Sequence, residues 1–183
     1  MEIRLGLRRF QEGDLTPMRE WVVDPSIKYN FRFTAQVKSD DDLRKFINGQ
    51  INRTVKDNFI NYVLFDKSDD EKTYLGSVGL KNIDFNDKNA ELTIVIGKKN
   101  YLGKGYGQDA LFLITNYGFN ELKLHKIYLT VISHNIRAIK AYEKFGFLHE
   151  GIRKDQIFQN SCYFDEILMG LVVDEFKKLY ENK

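Results

Sequence analysis

Gly103, Gly105 and Gly107 fall within five residues of one another, in the run Asn100-Tyr101-Leu102-Gly103-Lys104-Gly105-Tyr106-Gly107. The run follows an apolar stretch, Ile94-Val95-Ile96, and precedes a helical pattern that reaches about Leu122. Strand, glycine-rich turn and helix start, in that order, make a place for an anion. Glycine reaches φ > 0 without strain and lets a ligand approach the backbone closely. The free N–H groups of a first helical turn, at the positive end of the helix dipole, then face negative charge. A phosphate or pyrophosphate suits such a turn. A P-loop would need G-x-x-x-x-G-K-[ST], and no such string occurs. A dinucleotide fingerprint, G-x-G-x-x-G/A, would have its third member at Gln108 or, counted from Gly105, at Ala110. That motif belongs after the first strand of a doubly wound parallel sheet, whereas this run comes late, after a predicted hairpin. A tight turn without a ligand is the remaining reading, but it needs fewer glycines.

Other reactive residue types are sparse. His125, His134 and His149 show no metal-ligand spacing, so no metal is expected. Cys162 stands alone and has no partner for an internal disulfide, which points to a reducing compartment and a cytoplasmic location. The 183 residues suit a single domain, 1–183, and the 43% hydrophobic and 14% aromatic content is that of a packed globule. Lys+Arg of 28 against Asp+Glu of 26 gives +2, which argues against a dedicated nucleic-acid binder. The opening MEIRLGLRRF has no uninterrupted apolar core and is not read as a secretory signal. No run approaches the roughly 18 apolar residues of a membrane span, so no membrane partner is expected. A homo-oligomer is left open.

The elements that would position the turn follow from periodicity. Ile3, Leu5 and Leu7 alternate with charged residues and predict a strand. Leu15, Met18 and Val22 predict a helix that Pro25 stops, followed by the aromatics Tyr29, Phe31 and Phe33. Ser39 and Asp40 to Asp42 open a second helix with the stripe Leu43, Phe46, Ile47, Ile51 and Val55. Strands are predicted over 62–65, 74–83 and 90–96, the last two joined by Asn86-Asp87-Lys88-Asn89 as a hairpin turn. Then come the glycine turn and its helix, a strand over 127–131, and a helix from Asn135 to Phe145 with Gly146 as C-cap. Strands over 148–158 and 163–172 and a helix over 174–180 complete the pattern. The order implies an α/β sheet of mixed direction, with strands 90–96 and 127–131 forming a parallel crossover.

LGKGYGQDAL after an apolar strand resembles motif A of the GNAT acyltransferase superfamily, Gln/Arg-x-x-Gly-x-Gly/Ala. Gly105 and Gly107 match its small residues, and Leu102 departs from it at the Gln/Arg position. HNIRAIKAYEKFGF resembles motif B through Asn135, Tyr142, Gly146 and Phe147. The phrases LHKIYLTV and FGFLHEGIRKD, and the later Tyr163-Phe164-Asp165, are similar to the branch of spermidine N-acetyltransferases and ribosomal-protein N-terminal acetyltransferases. The resemblance covers nearly the whole chain. It implies a splayed mixed sheet with helices on both faces and an N-acetyltransferase using acetyl-CoA by direct attack in a ternary complex, with no acyl-enzyme. Cys162 is then not required as a nucleophile.

The resemblance also implies the site. Turn amides from Leu102, Gly103, Lys104, Gly105, Tyr106 and Gly107 would hold the coenzyme pyrophosphate. The strand Ile94-Val95-Ile96 would pair with the pantetheine amides as an added strand, and N–H groups near Val95 or Ile96 would serve the oxyanion. Tyr142 would protonate the leaving thiolate; a helix-face aromatic is its other reading. Asn135 would contact the coenzyme or its bound water, or simply cap its helix. Glu91 would accept the amine proton through water; a surface strand glutamate is the alternative. The acceptor, a small-molecule or peptide amine, would meet Tyr29, Phe31, Arg32 and Phe33. Arg32 stands where a polyamine enzyme is expected to carry a carboxylate, which favours a neutral or anionic amine such as an amino sugar. A protein N-terminus, a spermidine-type polyamine and a non-catalytic coenzyme A sensor are the alternatives.

Overall fold

The computed structural model describes residues 2–30 and 39–180. The aromatic segment Phe31, Arg32, Phe33 and Thr34 lies outside the described residues. The chain groups into two compact units: Met1–Leu80 with Thr93–Ile114, and Lys81–Leu92 with Thr115–Lys183.

The first unit opens with β1 (Leu5–Arg8), where Leu5 and Gly6 are buried. β1 pairs antiparallel with β2 (Ile60–Asp66), from Leu5↔Asp66 to Arg8↔Val63. α1 (Leu15–Val22) buries Leu15, Met18, Trp21 and Val22 on one face. The sequence predicts that Pro25 stops this helix. α1 does end before it, but Pro25 also starts a one-turn helix, α2 (Pro25–Lys28). Proline is suited to a first helical position because its fixed φ is already helical and its missing N–H would have no partner there.

α3 (Asp40–Asn52) has the predicted cap. The Ser39 hydroxyl accepts from the Asp42 N–H at 3.2 Å, and Asp42 accepts back from the Ser39 N–H at 3.0 Å. Leu43 and Ile47 are buried, and Phe46 and Ile51 pack against them. Val55 does not continue the stripe. Thr54 and Asp57 form their own capping box around a 3-10 turn, Val55–Asp57, and this ends the longer helix. The buried cluster of Phe10, Met18, Trp21, Leu43, Val63 and Val95 is the unit's core.

β3 (Gly76–Asp84) and β4 (Asn89–Ile96) are neighbours in the sheet. Tyr74 and Leu75, expected within the strand, precede it and are buried. The turn between the strands is held by Asp84 Oδ1, which accepts from the N–H groups of Asn86 and Asp87 at 2.8 and 2.9 Å. After β4 come a 3-10 turn, Lys99–Tyr101, and α4 (Tyr106–Asn116). The expected helical run to Leu122 ends as a π-turn, Tyr117–Glu121, with the Leu122 N–H donating to the Tyr117 carbonyl at 3.1 Å.

In the second unit, β5 (Lys126–Ile132) pairs parallel with the start of β4 through Asn89↔Lys126, Ala90↔Ile127 and Glu91↔Tyr128. α5 (Ile136–Phe145) follows, then the hairpin of β6 (Leu148–Gln159) and β7 (Cys162–Val172). Asn160 and Ser161 both have φ > 0, at 51° and 62°, the backbone a two-residue hairpin turn requires. β7 also pairs antiparallel with the whole of β5, from Lys126↔Val172 to Ile132↔Glu166. α6 (Val173–Tyr180) packs Phe176 and Tyr180 among aromatics, with Phe145 and Tyr180 stacked at 4.8 Å. The strands are hydrogen-bonded in the order β1-β2-β3-β4-β5-β7-β6, a mixed sheet as expected.

Candidate active site

Ile94, Val95, Ile96 and the glycine run form one continuous strand–turn–helix in the first unit. Val95 is buried in the core cluster, which fixes the strand and leaves its backbone as the chemically useful part. Gly103 and Gly105 have φ of 74° and 87°, in the left-handed region that favours glycine. Gly107 is different. It is helical, and a Cβ there would meet nothing within 4 Å, as would one at Gly103. Glycine in a helix costs roughly 0.5–1 kcal/mol against alanine, and nothing in the fold requires it at 107. Open space over both positions fits a ligand lying against the backbone. The Gln108 and Asp109 N–H groups donate to the Gly105 carbonyl at 2.9 and 3.3 Å. The N–H groups of Gly105, Tyr106 and Gly107 have no partner among the described residues, as expected of a helix start. The turn therefore offers what a diphosphate needs.

Residues far away in sequence brace this turn, and sequence reading missed them. The Arg4 Nε donates to Asp109 Oδ2 at 2.8 Å, and Arg4 Nη1 donates to the Lys104 carbonyl at 2.9 Å. The Arg4 guanidinium lies 4.1 Å from the centre of the Tyr106 ring. The Tyr106 hydroxyl donates to Asp66 Oδ2 at 3.0 Å, and Tyr101 meets the Tyr106 ring edge-on at 4.8 Å. The Tyr106 phenol is raised, first by burial and then by this hydrogen bond to a carboxylate. Asp66 is lowered, chiefly by the Ser68 hydroxyl and N–H. No spacing rule links positions 4, 66 and 106. Asp109, an acid in the first turn of a helix, was the one local hint.

In the second unit, α5 carries the other two expected coenzyme residues. Asn135 is buried and caps α5, its Oδ1 accepting from the Ala138 N–H at 3.2 Å. The capping alternative is thus present in the structure, and the Asn135 Nδ2 is left as a donor. Tyr142, two turns on, is half-buried, with Phe147 edge-on at 6.0 Å. Burial pushes its phenol up to about 12, so it holds its proton at neutral pH. Among the described residues its hydroxyl has no hydrogen-bond partner. Glu91 is engaged at both oxygens: Lys81 Nζ is 2.9 Å from Oε1, and Asn82 Nδ2 donates to Oε2 at 3.1 Å. Tyr29 is half-buried just after α2, its N–H donating to the Pro25 carbonyl at 3.2 Å.

A strand leading into a left-handed glycine turn at a helix start suits the diphosphate of a coenzyme. The chain belongs to the GNAT acetyltransferases: the family model of the acetyltransferase (GNAT) domain matches residues 4–148. It is an acyl-CoA-dependent N-acetyltransferase, with acetyl-CoA as the donor. It is similar to spermidine N(1)-acetyltransferase of Vibrio cholerae serotype O1, 30% identical over 96% of this chain and 97% of the relative. The same enzyme of Escherichia coli K12 is 33% identical over 94% of this chain and 81% of its own length. The crystal structure of the Vibrio cholerae spermidine N-acetyltransferase in complex with CoA and spermine matches with a TM-score of 0.82 at 28% identity, covering 96% of this chain and 99% of that one. Among the described residues no helix is long and apolar enough to cross a membrane.

Proposed function

We propose that this chain, acting as one catalytic domain, moves the acetyl group of acetyl-CoA to a primary amine by direct attack, and that the amine belongs to a spermidine-type polyamine. The observation that carries the transferase chemistry is the open glycine turn at the start of α4. The thioester supplies an activated acetyl group, and the residues must then do three things. The amine must lose a proton, the developing oxyanion needs donors, and the leaving sulfur gains from a proton. Tyr142 supplies that last proton, since its raised phenol stays neutral and its hydroxyl is uncommitted among the described residues. The N–H groups of Val95 or Ile96 hold the oxyanion. The pairing of β4 with β5 covers Asn89–Glu91 among the described residues, so the later part of β4 can take the pantetheine as an added strand. The Asn135 Nδ2 contacts the coenzyme or its water. Glu91 takes the amine proton through water, with Lys81 and Asn82 orienting its carboxylate.

The polyamine reading is supported by relatives named for spermidine that align over nearly the whole chain. A second reading, a neutral or anionic amine met by Tyr29, Phe31, Arg32 and Phe33, is supported by the positive charge at Arg32. Coenzyme A release measured with spermidine, an anionic amino sugar and an N-terminal peptide separates the two. Efficient turnover of spermidine, lost on truncating its amines, supports the first. Turnover of the amino sugar alone, abolished in Arg32→Glu, replaces it with the second. Release with no acceptor in the panel would remove the polyamine claim altogether. We place the enzyme in the cytoplasm, in keeping with its lone, exposed Cys162.

A further inference from the structure

Arg4 lies 105 residues from Asp109 in sequence, yet one guanidinium grips several consecutive parts of the glycine turn. Its backbone N–H and its Nε both donate to Asp109 Oδ2, at 3.3 and 2.8 Å. Nη1 donates to the Lys104 carbonyl at 2.9 Å. Nη2 lies 3.1 Å from where a Cβ on Gly105 would stand, and the plane covers the Tyr106 ring at 4.1 Å. Tyr106 is tied in turn to Asp66. The carbonyl of 104 and the ring of 106 are thus held by a side chain just before the first strand, which also lies beside Gly105.

The electrostatics point the same way. Asp109 is 3% exposed and sits in the first turn of α4, beside the N–H groups that face an anion. An unpaired carboxylate there would oppose a diphosphate, because like charges at short range repel strongly away from bulk water. The Arg4 fork cancels that charge, and Arg remains charged at every working pH. Two short, charge-assisted bonds to fixed atoms also hold a loop whose glycines would otherwise sample many conformations.

We propose that Arg4 is a positioning residue for the coenzyme phosphate site: it fixes Lys104–Gly107 in the conformation whose N–H groups meet the diphosphate and neutralises Asp109 beside them. The inference rests on the reading that this turn holds the pyrophosphate. A donor with the same thioester but no diphosphate, S-acetylpantetheine, does not use the part of the site that Arg4 organises. Arg4 therefore governs the preference for acetyl-CoA over acetylpantetheine.

The test is steady-state kinetics of the full chain and of Arg4→Ala, Arg4→Lys and Arg4→Ala/Asp109→Asn with both donors, together with calorimetry of CoA and pantetheine. In Arg4→Ala the KM for acetyl-CoA should rise about tenfold or more, the size that one or two charge-assisted hydrogen bonds support, while kcat holds within about threefold. Its kcat/KM for acetylpantetheine should fall several-fold less. Arg4→Lys, which keeps the charge against Asp109 without the fork to Lys104, should lie between. Asp109→Asn in the Arg4→Ala background should recover part of the loss. Equal losses for both donors would make Arg4 a brace of the fold alone and overturn the proposal. So would unchanged CoA affinity in a folded Arg4→Ala. If the parent binds CoA but acetylates no amine, the proposed function fails while the CoA-against-pantetheine comparison still decides the role of Arg4.

Discussion

The glycine turn at 103–107 and the helical segment 135–147 are closed in opposite ways. α5 closes itself. Asn135 caps its start, and at its end the Gly146 N–H donates to the carbonyls of Tyr142 and Glu143 while the Phe147 N–H also donates to Tyr142. Gly146, at φ 117°, supplies the left-handed residue that such an ending uses. The turn is closed from outside, by Arg4 and Asp66. A segment that carries its own caps presents its tyrosine at a fixed place whatever happens elsewhere. A turn held by distant side chains can be strengthened or loosened without changing its own sequence. Damage to α5 should therefore appear in stability or in chemistry, and damage to the turn in affinity for the donor.

The largest effect expected on either side is that of Tyr142→Phe. The substitution removes one hydroxyl and keeps the ring against Phe147. Loss of a general acid typically costs about 10²–10⁴-fold in rate. Turnover should fall by that order, with CoA affinity nearly retained, in single-turnover measurements that exclude product release. A loss of about twofold or less would make Tyr142 a packing residue and erase the catalytic half of the contrast.

Next in size is Gly105→Val in the turn. Valine at φ 87° is strained by roughly 1–3 kcal/mol, and its branch would crowd Arg4 Nη2. CoA binding by calorimetry should weaken by about two orders of magnitude if that strain is relieved by refolding the turn. Unchanged affinity in a folded variant would show that the turn does not hold the coenzyme.

These two regions also differ in how far the sequence alone could be read. Tyr142 and Phe147 stood out only through the resemblance to motif B, whereas the caps Asn135 and Gly146 were legible because capping acts over three or four residues. The same holds for Ser39 with Asp42 and for the strands on either side of Asn160-Ser161. The glycines were legible as a turn for the same local reason. Arg4, Asp66 and the side chain of Tyr106 were not, since only the pairing of β1 with β2 brings position 4 near position 66. Val55 was misread because a helical stripe says nothing about a competing cap, here Thr54 with Asp57. The helix at Pro25 was missed because proline was read as a stop when it also serves as a start.

Smaller effects should follow at the ends of α5. Gly146→Ala places a Cβ 2.5 Å from the end of the Leu179 side chain, which can move aside, so the cost is the left-handed backbone, about 1–2 kcal/mol. Asn135→Ala loses the cap, about 1 kcal/mol, and with it the Nδ2 proposed to meet the coenzyme. Both should lower the Tm, by roughly 2–4 °C per kcal/mol in a chain of this size. Gly146→Ala should leave CoA affinity within about twofold, in contrast to Gly105→Val. A Gly146→Ala protein that keeps its Tm and loses CoA would reverse the assignment of stability to one region and affinity to the other.

The smallest effect concerns pH. Burial raises the Tyr142 phenol from its ordinary value near 10 up to about 12, because the folded environment disfavours the phenolate. A group raised in this way contributes stability that is complete below the unfolded value, near pH 10, and is lost as the pH rises through about 12. Between about pH 6 and 9 the phenol is protonated in both states, so its ionisation should not shape the rate. The pH–rate profile of Tyr142→Phe should then lie below the parent's and keep its shape across that range, the remaining slope belonging to the amine and its base. If the parent instead shows an alkaline decline below about pH 9 that disappears in Tyr142→Phe, the phenol ionises in the working range. Tyr142 would then sit in a wetter or more positive setting than the structure gives it, and the decline would mark the protonated phenol as the form the reaction needs.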